Sequence, residues 1–145
     1  MKIGIANDHR GYMMKKHLKV YLTKIGYEVI DYGTNNEDPA DYPKYAFIVG
    51  EAVRDKKIDY GILICGSGIG MSIACNKVKG VRCARVVNEE EAKITRVDNN
   101  SNVIAFSYNI DSEQACKMVY TFINTKFSDL ERHHRRVSMV DSYDN

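Results

Sequence analysis

The sequence predicts a doubly wound α/β domain of about five parallel strands, and three observations predict it. Short apolar segments alternate along the whole chain with longer segments of helical periodicity. The strand segments are hydrophobic throughout rather than at every second position, as a sheet covered on both faces requires. Each is separated from the next by room for a crossover helix, which imposes parallel pairing. With 145 residues, 44% apolar and 28% charged, the chain suits one domain over 1–145 with a substantial core.

Residues 2–6 (KIGIA) read as the first strand. Met14, Leu18, Tyr21, Leu22 and Ile25 follow at helical spacing, and Gly26 stops that helix. Residues 27–32 (YEVIDY) form the second strand. Asp41 stands as N-cap, with Pro43 in the first turn, of a helix carrying Ala46, Val49 and Val53. Residues 59–65 are the third strand, followed by a helix over 69–78 closed by Gly80, and 81–87 are the fourth strand. Asn88 and Glu91 resemble a capping box opening the next helix. Residues 102–106 are the fifth strand. Asp111 then caps a helix through Ala115, Met118, Val119, Phe122 and Ile123, and a basic helix runs from about 130 to 140. There is no internal repeat.

Bulk properties exclude several classes. A net charge of +2 is too balanced to point to nucleic acid. The longest apolar run falls far short of a membrane span, and Met1-Lys2 leads straight into strand residues, so neither a transmembrane segment nor a signal peptide is expected. The cysteines, Cys65, Cys75, Cys83 and Cys116, form no C-x-x-C pair, which speaks against a zinc knuckle or a thioredoxin-type motif. Cys75, Cys83 and Cys116 fit core positions. Reduced thiols and a cytoplasmic location are the expectation.

Folds of this class bind ligands outside the carboxyl ends of their strands. Three segments are assigned to such ends: Asn7-Asp8-His9, Cys65-Gly66-Ser67-Gly68-Ile69-Gly70, and Asp98-Asn99-Asn100 just before strand five. The glycines let backbone amides approach an anion, and the helix start adds its positive dipole end. Met71 rules out a G-x-G-x-x-G dinucleotide fingerprint, and no Lys-Ser or Lys-Thr of a phosphate-binding P-loop follows. A tight strand-to-helix turn explains the same glycines.

A cysteine ending an apolar strand is most often an inert core residue. Cys65 stands beside amides suited to a thiolate, which opens two chemistries. A Cys-x5-Arg phosphatase needs arginine where Met71 stands. A general base that removes a carbon-bound proton, with amides holding the resulting enediolate, meets no such objection. Asp8 and His9 open a helix, where an N-cap beside an exposed histidine explains them as well as a functional role does. His17 reads as a surface or packing residue. Arg132 and Arg136 are i,i+4 neighbours, a spacing that grips a phosphate and also describes a solvated basic face.

Together these residues resemble the ribose-5-phosphate isomerase B family, which includes the galactose-6-phosphate isomerase subunits. The likeness runs through IANDHRGY, EVIDYGT, DYPKYA, GILICGSGIGMSIACNKVKGVR, NNSNVIAF and ERHHRRV. It implies a Rossmann-like α/β/α fold, usually dimeric, with each active site shared between subunits. It also implies aldose–ketose isomerisation of a sugar phosphate through an enediol, without metal or organic cofactor. By resemblance Cys65 is the base and Ser67 assists it. The amides of Gly66, Ser67, Gly68, Ile69 and Gly70 form the anion hole, Asp8, His9 and Asn99 contact the substrate, and Arg132 and Arg136 bind phosphate.

Two positions depart from the family pattern. Asp98 stands where a ring-opening histidine is expected, and a carboxyl with an ordinary pKa near 4 holds little acid at neutral pH. Asn109 stands where an arginine is expected. The leading substrate is ribose 5-phosphate, with a hexose 6-phosphate of allose or galactose type as runner-up. A non-catalytic subunit of a hetero-oligomer is the competing class. A receiver domain is set aside, because Cys65 replaces its acceptor aspartate.

Overall fold

The computed structural model describes residues 1–143; residues 144 and 145, also within the expected 1–145 domain, lie outside the described residues. Strands β1 (Lys2–Asn7), β2 (Glu28–Asp31), β3 (Tyr60–Cys65), β4 (Cys83–Arg85) and β5 (Val103–Ser107) alternate with helices α1 (Tyr12–Lys24), α2 (Tyr42–Arg54), α3 (Ile69–Cys75), α4 (Glu89–Asn99), α5 (Ser112–Asn124) and α6 (Glu131–Ser142). All strand pairs are parallel, in the order β2-β1-β3-β5-β4. The direction of winding reverses between β1 and β3, the crevice where such sheets take ligands.

Because side chains alternate across a strand, each buried strand feeds two cores. Ile3, Ile5, Ile62, Ile64, Ile104 and Phe106 meet Leu18, Leu22, Met118 and Phe122 on one face. Ala6, Leu63, Cys65, Val103 and Ala105 meet Ala46, Val49, Met71 and Cys75 on the other. This is the expected three-layer α/β/α arrangement. α6 packs against α4 at the rim.

Local capping places several helix starts. Asp8 accepts from the N–H groups of Arg10 (2.9 Å) and Gly11 (3.3 Å), opening a 3-10 turn over His9–Gly11 that leads into α1. Asp111 accepts from Glu113 and Gln114 at the start of α5. Asn88 accepts from Glu91 N–H at 2.8 Å, while the Glu91 carboxylate accepts from Val87 N–H at 2.9 Å, one residue before the reciprocal bond of an ordinary capping box. Asp41 precedes α2 as expected but makes no side-chain capping bond.

The fourth strand is shorter than its expected 81–87 span, and the third helix shorter than 69–78, for a shared reason. The Asn76 amide donates to Cys83 C=O and accepts from Cys83 N–H, both at 2.8 Å, as a neighbouring strand would. Asn102 Oδ1 takes Arg82 N–H at 2.8 Å, and Val87 N–H leaves the ladder for Glu91. Side chains thus close both ends of β4. Cys75 and Cys83 are buried as expected. Cys116 is only half-buried, packed at the margin of the core with its sulfur 3.5 Å from Nε2 of exposed His17.

Candidate active site

At the carboxyl edge of the sheet, β1 ends in buried Asn7 and Asp8, and Asp8 N–H donates to Ile64 C=O at 3.0 Å. That bond ties the 3-10 turn to β3 one residue before Cys65. His9 Nδ1 accepts the Ala40 N–H at 3.2 Å, so the neutral ring carries its proton on Nε2. The same bond fastens the loop between β2 and α2 to the site.

Cys65 is 4% exposed, and its sulfur accepts the Gly68 N–H at 3.2 Å. Gly68 lies in the left-handed region at φ +78°, and a Cβ there would stand 2.7 Å from Phe106 Cα. Only glycine permits both the turn and the close approach that brings this amide to the sulfur. Ser67 Oγ accepts the Ile69 N–H at 3.1 Å and keeps its own proton free to donate. The loop is pinned from behind by Ser107 Oγ on Gly66 C=O (2.8 Å), Tyr108 N–H on Cys65 C=O (2.9 Å) and Arg85 Nε on Ser67 C=O (3.2 Å).

Arg10 was not singled out from the sequence, although a basic residue directly after His9 was the available signal. Its side chain lies against the loop: a Cβ on Gly66 would stand 3.2 Å from Nη1. Arg10 also shares a cavity of about 250 Å³ with His17 and Tyr108, beside Asn109.

The remaining expected residues form a second cluster at the other end of the sheet. Asp98 and Asn99 end α4 and precede the amino end of β5, so the expected carboxyl-end placement of Asp98-Asn99-Asn100 is corrected. The chain enters a strand from its amino end, and a segment just before β5 is necessarily there. Arg82 fixes this turn, donating through Nε to Asn99 C=O (3.2 Å) and through Nη2 to Asn100 C=O (3.0 Å), with Nη1 on Asp141 at 2.6 Å. Arg96 braces it from below, donating to Ser101 C=O at 2.7 Å while stacked on Tyr60; burial pulls its pKa down.

Asp98, Asn99 and Arg136 line a cavity of about 420 Å³ with Cys83, His133 and Val137. Arg132 is exposed on α6 and is not among its lining residues. His133 was missed because it sits inside a basic run. Its spacing with Arg136, Val137 and Val140 (i, i+3, i+4, i+7) marked one helical face. Among the described residues no three His, Cys, Asp or Glu side chains converge in a metal-binding group.

One chain therefore carries a thiol held by an amide at one edge, and a carboxylate with arginine at the other. The Ribose/Galactose Isomerase family pattern matches residues 3–140 of the chain. The chain belongs to the ribose/galactose isomerase family. Ribose-5-phosphate isomerase B of Escherichia coli K12 is 36% identical over 140 residues, covering 96% of this chain and 93% of that protein. Among solved structures, Clostridium thermocellum ribose-5-phosphate isomerase B superposes with a TM-score of 0.94 at 41% identity, covering 97% and 95% of the two chains. The Mycoplasma genitalium enzyme, solved with bound ribulose-5-phosphate, gives 0.92 at 38% identity, covering 98% and 95%. As a family member the chain is an enzyme, an aldose–ketose isomerase acting on sugar phosphates. No helix among the described residues is long and apolar enough to cross a membrane.

Proposed function

We propose that the chain interconverts ribose 5-phosphate and ribulose 5-phosphate by cofactor-independent proton transfer, in the cytoplasm, as a homodimer or a tetramer. The observation that carries this reading is Cys65 Sγ, held by the Gly68 N–H at the crevice between β1 and β3. In the open-chain aldose, the Cys65 thiolate removes the proton at C2. The C–H electron pair becomes the C1–C2 double bond, and negative charge collects on O1. The Gly66–Gly70 loop supplies the amides for that charge: Gly68 N–H holds the sulfur and Ile69 N–H orients Ser67 Oγ, which leaves Gly66, Ser67 and Gly70 N–H, with Ser67 Oγ–H as a further donor. The C2 hydroxyl proton passes to O1, and return of the thiol proton to C1 leaves the ketone at C2.

Asp8 and His9 hold sugar hydroxyls and phosphate in this scheme, and Arg10 adds a cation at the loop. Asn99 lies just before the amino end of β5 and shares its cavity with Arg136, whereas Cys65 ends β3 at the carboxyl edge; this supports a reading in which Asn99, Arg132 and Arg136 serve the Cys65 of a second copy, with each site shared in a dimer.

The test is deuterium exchange. The purified chain is incubated in D2O with ribose 5-phosphate and, separately, allose 6-phosphate, and followed by NMR. Ketose formation with deuterium incorporation from the pentose supports the proposal. Turnover of the hexose alone moves the assignment to a six-carbon substrate, which exposed Asn109 in place of a cation favours. Binding of either sugar without exchange assigns the chain as a non-catalytic subunit.

A further inference from the structure

Gly66 follows Cys65 at the carboxyl end of β3, and the Arg10 side chain lies alongside it. A Cβ on Gly66 would stand 3.2 Å from Arg10 Nη1, 3.4 Å from Cδ and 3.9 Å from Cζ. The Gly66 backbone is not left-handed, so its missing side chain makes room for the guanidinium rather than permitting the turn. Among the described residues Arg10 forms no ion pair. Asp8, two residues before it, is turned onto the N–H groups of Arg10 and Gly11 instead. Other cations in this region are committed. Lys15 and Lys19 bind Asp31, and Arg85, on the β4 side of the loop, puts Nε on Ser67 C=O. The cavity of about 250 Å³ that Arg10 lines has His17, Tyr108 and Ser112 as its other polar side chains and no carboxylate. Asn109, exposed between Tyr108 and Ile110 of that lining, adds no charge. Cys65 and Arg10 stand on different faces of the sheet. Cys65 points into the core with Leu63 and Met71, whereas the Arg10 cavity is lined by Met14 and Ile110 from the core on the α1 and α5 side. Gly66 joins the two, bonded to Cys65 and packed on Arg10.

We propose that Arg10 binds the substrate phosphate for the Cys65 of its own copy. The sugar phosphate crosses the sheet edge over Gly66, its reacting carbons at Cys65 and its phosphate on the guanidinium. This deepens the isomerase reading above and rests on it. A phosphate dianion and an unpaired guanidinium are complementary, because the planar fork of N–H donors matches phosphate oxygens and charge-assisted bonds are stronger than neutral ones. A cation held a sugar's length from the reacting carbons meets the same phosphate in the ground state and the transition state. It therefore lowers KM and leaves kcat nearly unchanged. A guanidinium acting on the thiolate or the enediolate would change kcat instead. Arg10 thus gives the copy that carries the base a phosphate contact of its own, independent of α6.

The test compares the parent with Arg10→Ala and with Arg10→Ala combined with Asn109→Arg. Isomerisation of ribose 5-phosphate gives KM and kcat, and calorimetric titration gives the Kd of inorganic phosphate. Arg10 is exposed, so its truncation leaves the core intact. Arg10→Ala is expected to raise KM and the phosphate Kd about 10-fold or more, with kcat within about threefold of the parent and its pH profile unshifted. Asn109→Arg in that background returns a cation to the same cavity without restoring the packing of Arg10 on Gly66. It is expected to bring both constants back to within about threefold of the parent. Parental KM and Kd in Arg10→Ala would overturn the proposal. So would a fall in kcat with both constants unchanged, or no recovery in the double variant. The titration needs no turnover, which keeps the two readings apart. A parent that binds phosphate but converts no ribose 5-phosphate overturns the isomerase reading and the Cys65 half of this one, whereas unchanged phosphate affinity in Arg10→Ala overturns the Arg10 assignment alone.

Discussion

Lys15 is buried to 1% exposure, yet its ammonium has company: Asp31 Oδ1 at 3.2 Å and the Thr34 carbonyl. Asp31 also takes Lys19 at 2.8 Å and the Gly33 N–H at 3.0 Å. The two partners respond differently. Burial alone would raise the Asp31 carboxyl, but the Lys19 bond, the Gly33 amide and Lys15 outweigh it and hold its pKa below the usual value. Burial dominates at Lys15 and pulls its pKa down despite Asp31. The pair thus favours the charged carboxylate and taxes the charged amine, and the carboxylate's direction follows directly from its three donors. A depressed folded-state carboxyl contributes stability that is full above its unfolded value, near pH 4, and is lost as pH falls through the folded value. Asp31→Asn is expected to flatten the acid limb of a stability–pH profile below about pH 4. It is also expected to lower Tm at neutral pH by leaving Lys15 buried without a counter-charge. An unchanged acid limb by thermal melts would count against this account.

At the scale of elements, what the sequence made legible was what depends on near neighbours. The caps Asp8, Asn88 and Asp111 bond amides within three residues, and the buried strands announce themselves by composition. The ends of α3 and β4 were not legible, because the Asn76 and Asn102 amides that set them act on groups 7 and 20 residues away. The site divided along the same line. Cys65, Ser67 and the glycine loop are contiguous and were read together; the meeting of Asp98 with His133 joins two helices and could not be. Asn76→Ala removes both Cys83 bonds at once and is expected to cost about 1–3 kcal/mol. Amide exchange at Cys83 and Arg85 should quicken beyond that of β1 and β3. Uniform exchange across all five strands would show that β5 alone holds β4 in place.

For the whole molecule, the proposed shared site would make association part of the chemistry. Cys65→Ser and Arg136→Ala proteins, each inactive, should recover activity when unfolded together and refolded. With random pairing half the dimers are mixed and each has one intact site, so about a quarter of parental activity is expected. No recovery would show that each copy builds its site alone. Association of this kind must stop at a closed assembly, and the sheet contributes to that. Its two edges are β2, with four residues, and β4, with three, whose ends are already occupied by Asn76, Asn102 and Glu91. Edges this short offer little template for a further strand, so fibrillar growth by sheet extension is disfavoured. Crowding the protein to high concentration should then favour discrete oligomers joined through helices and loops, rather than open-ended polymers.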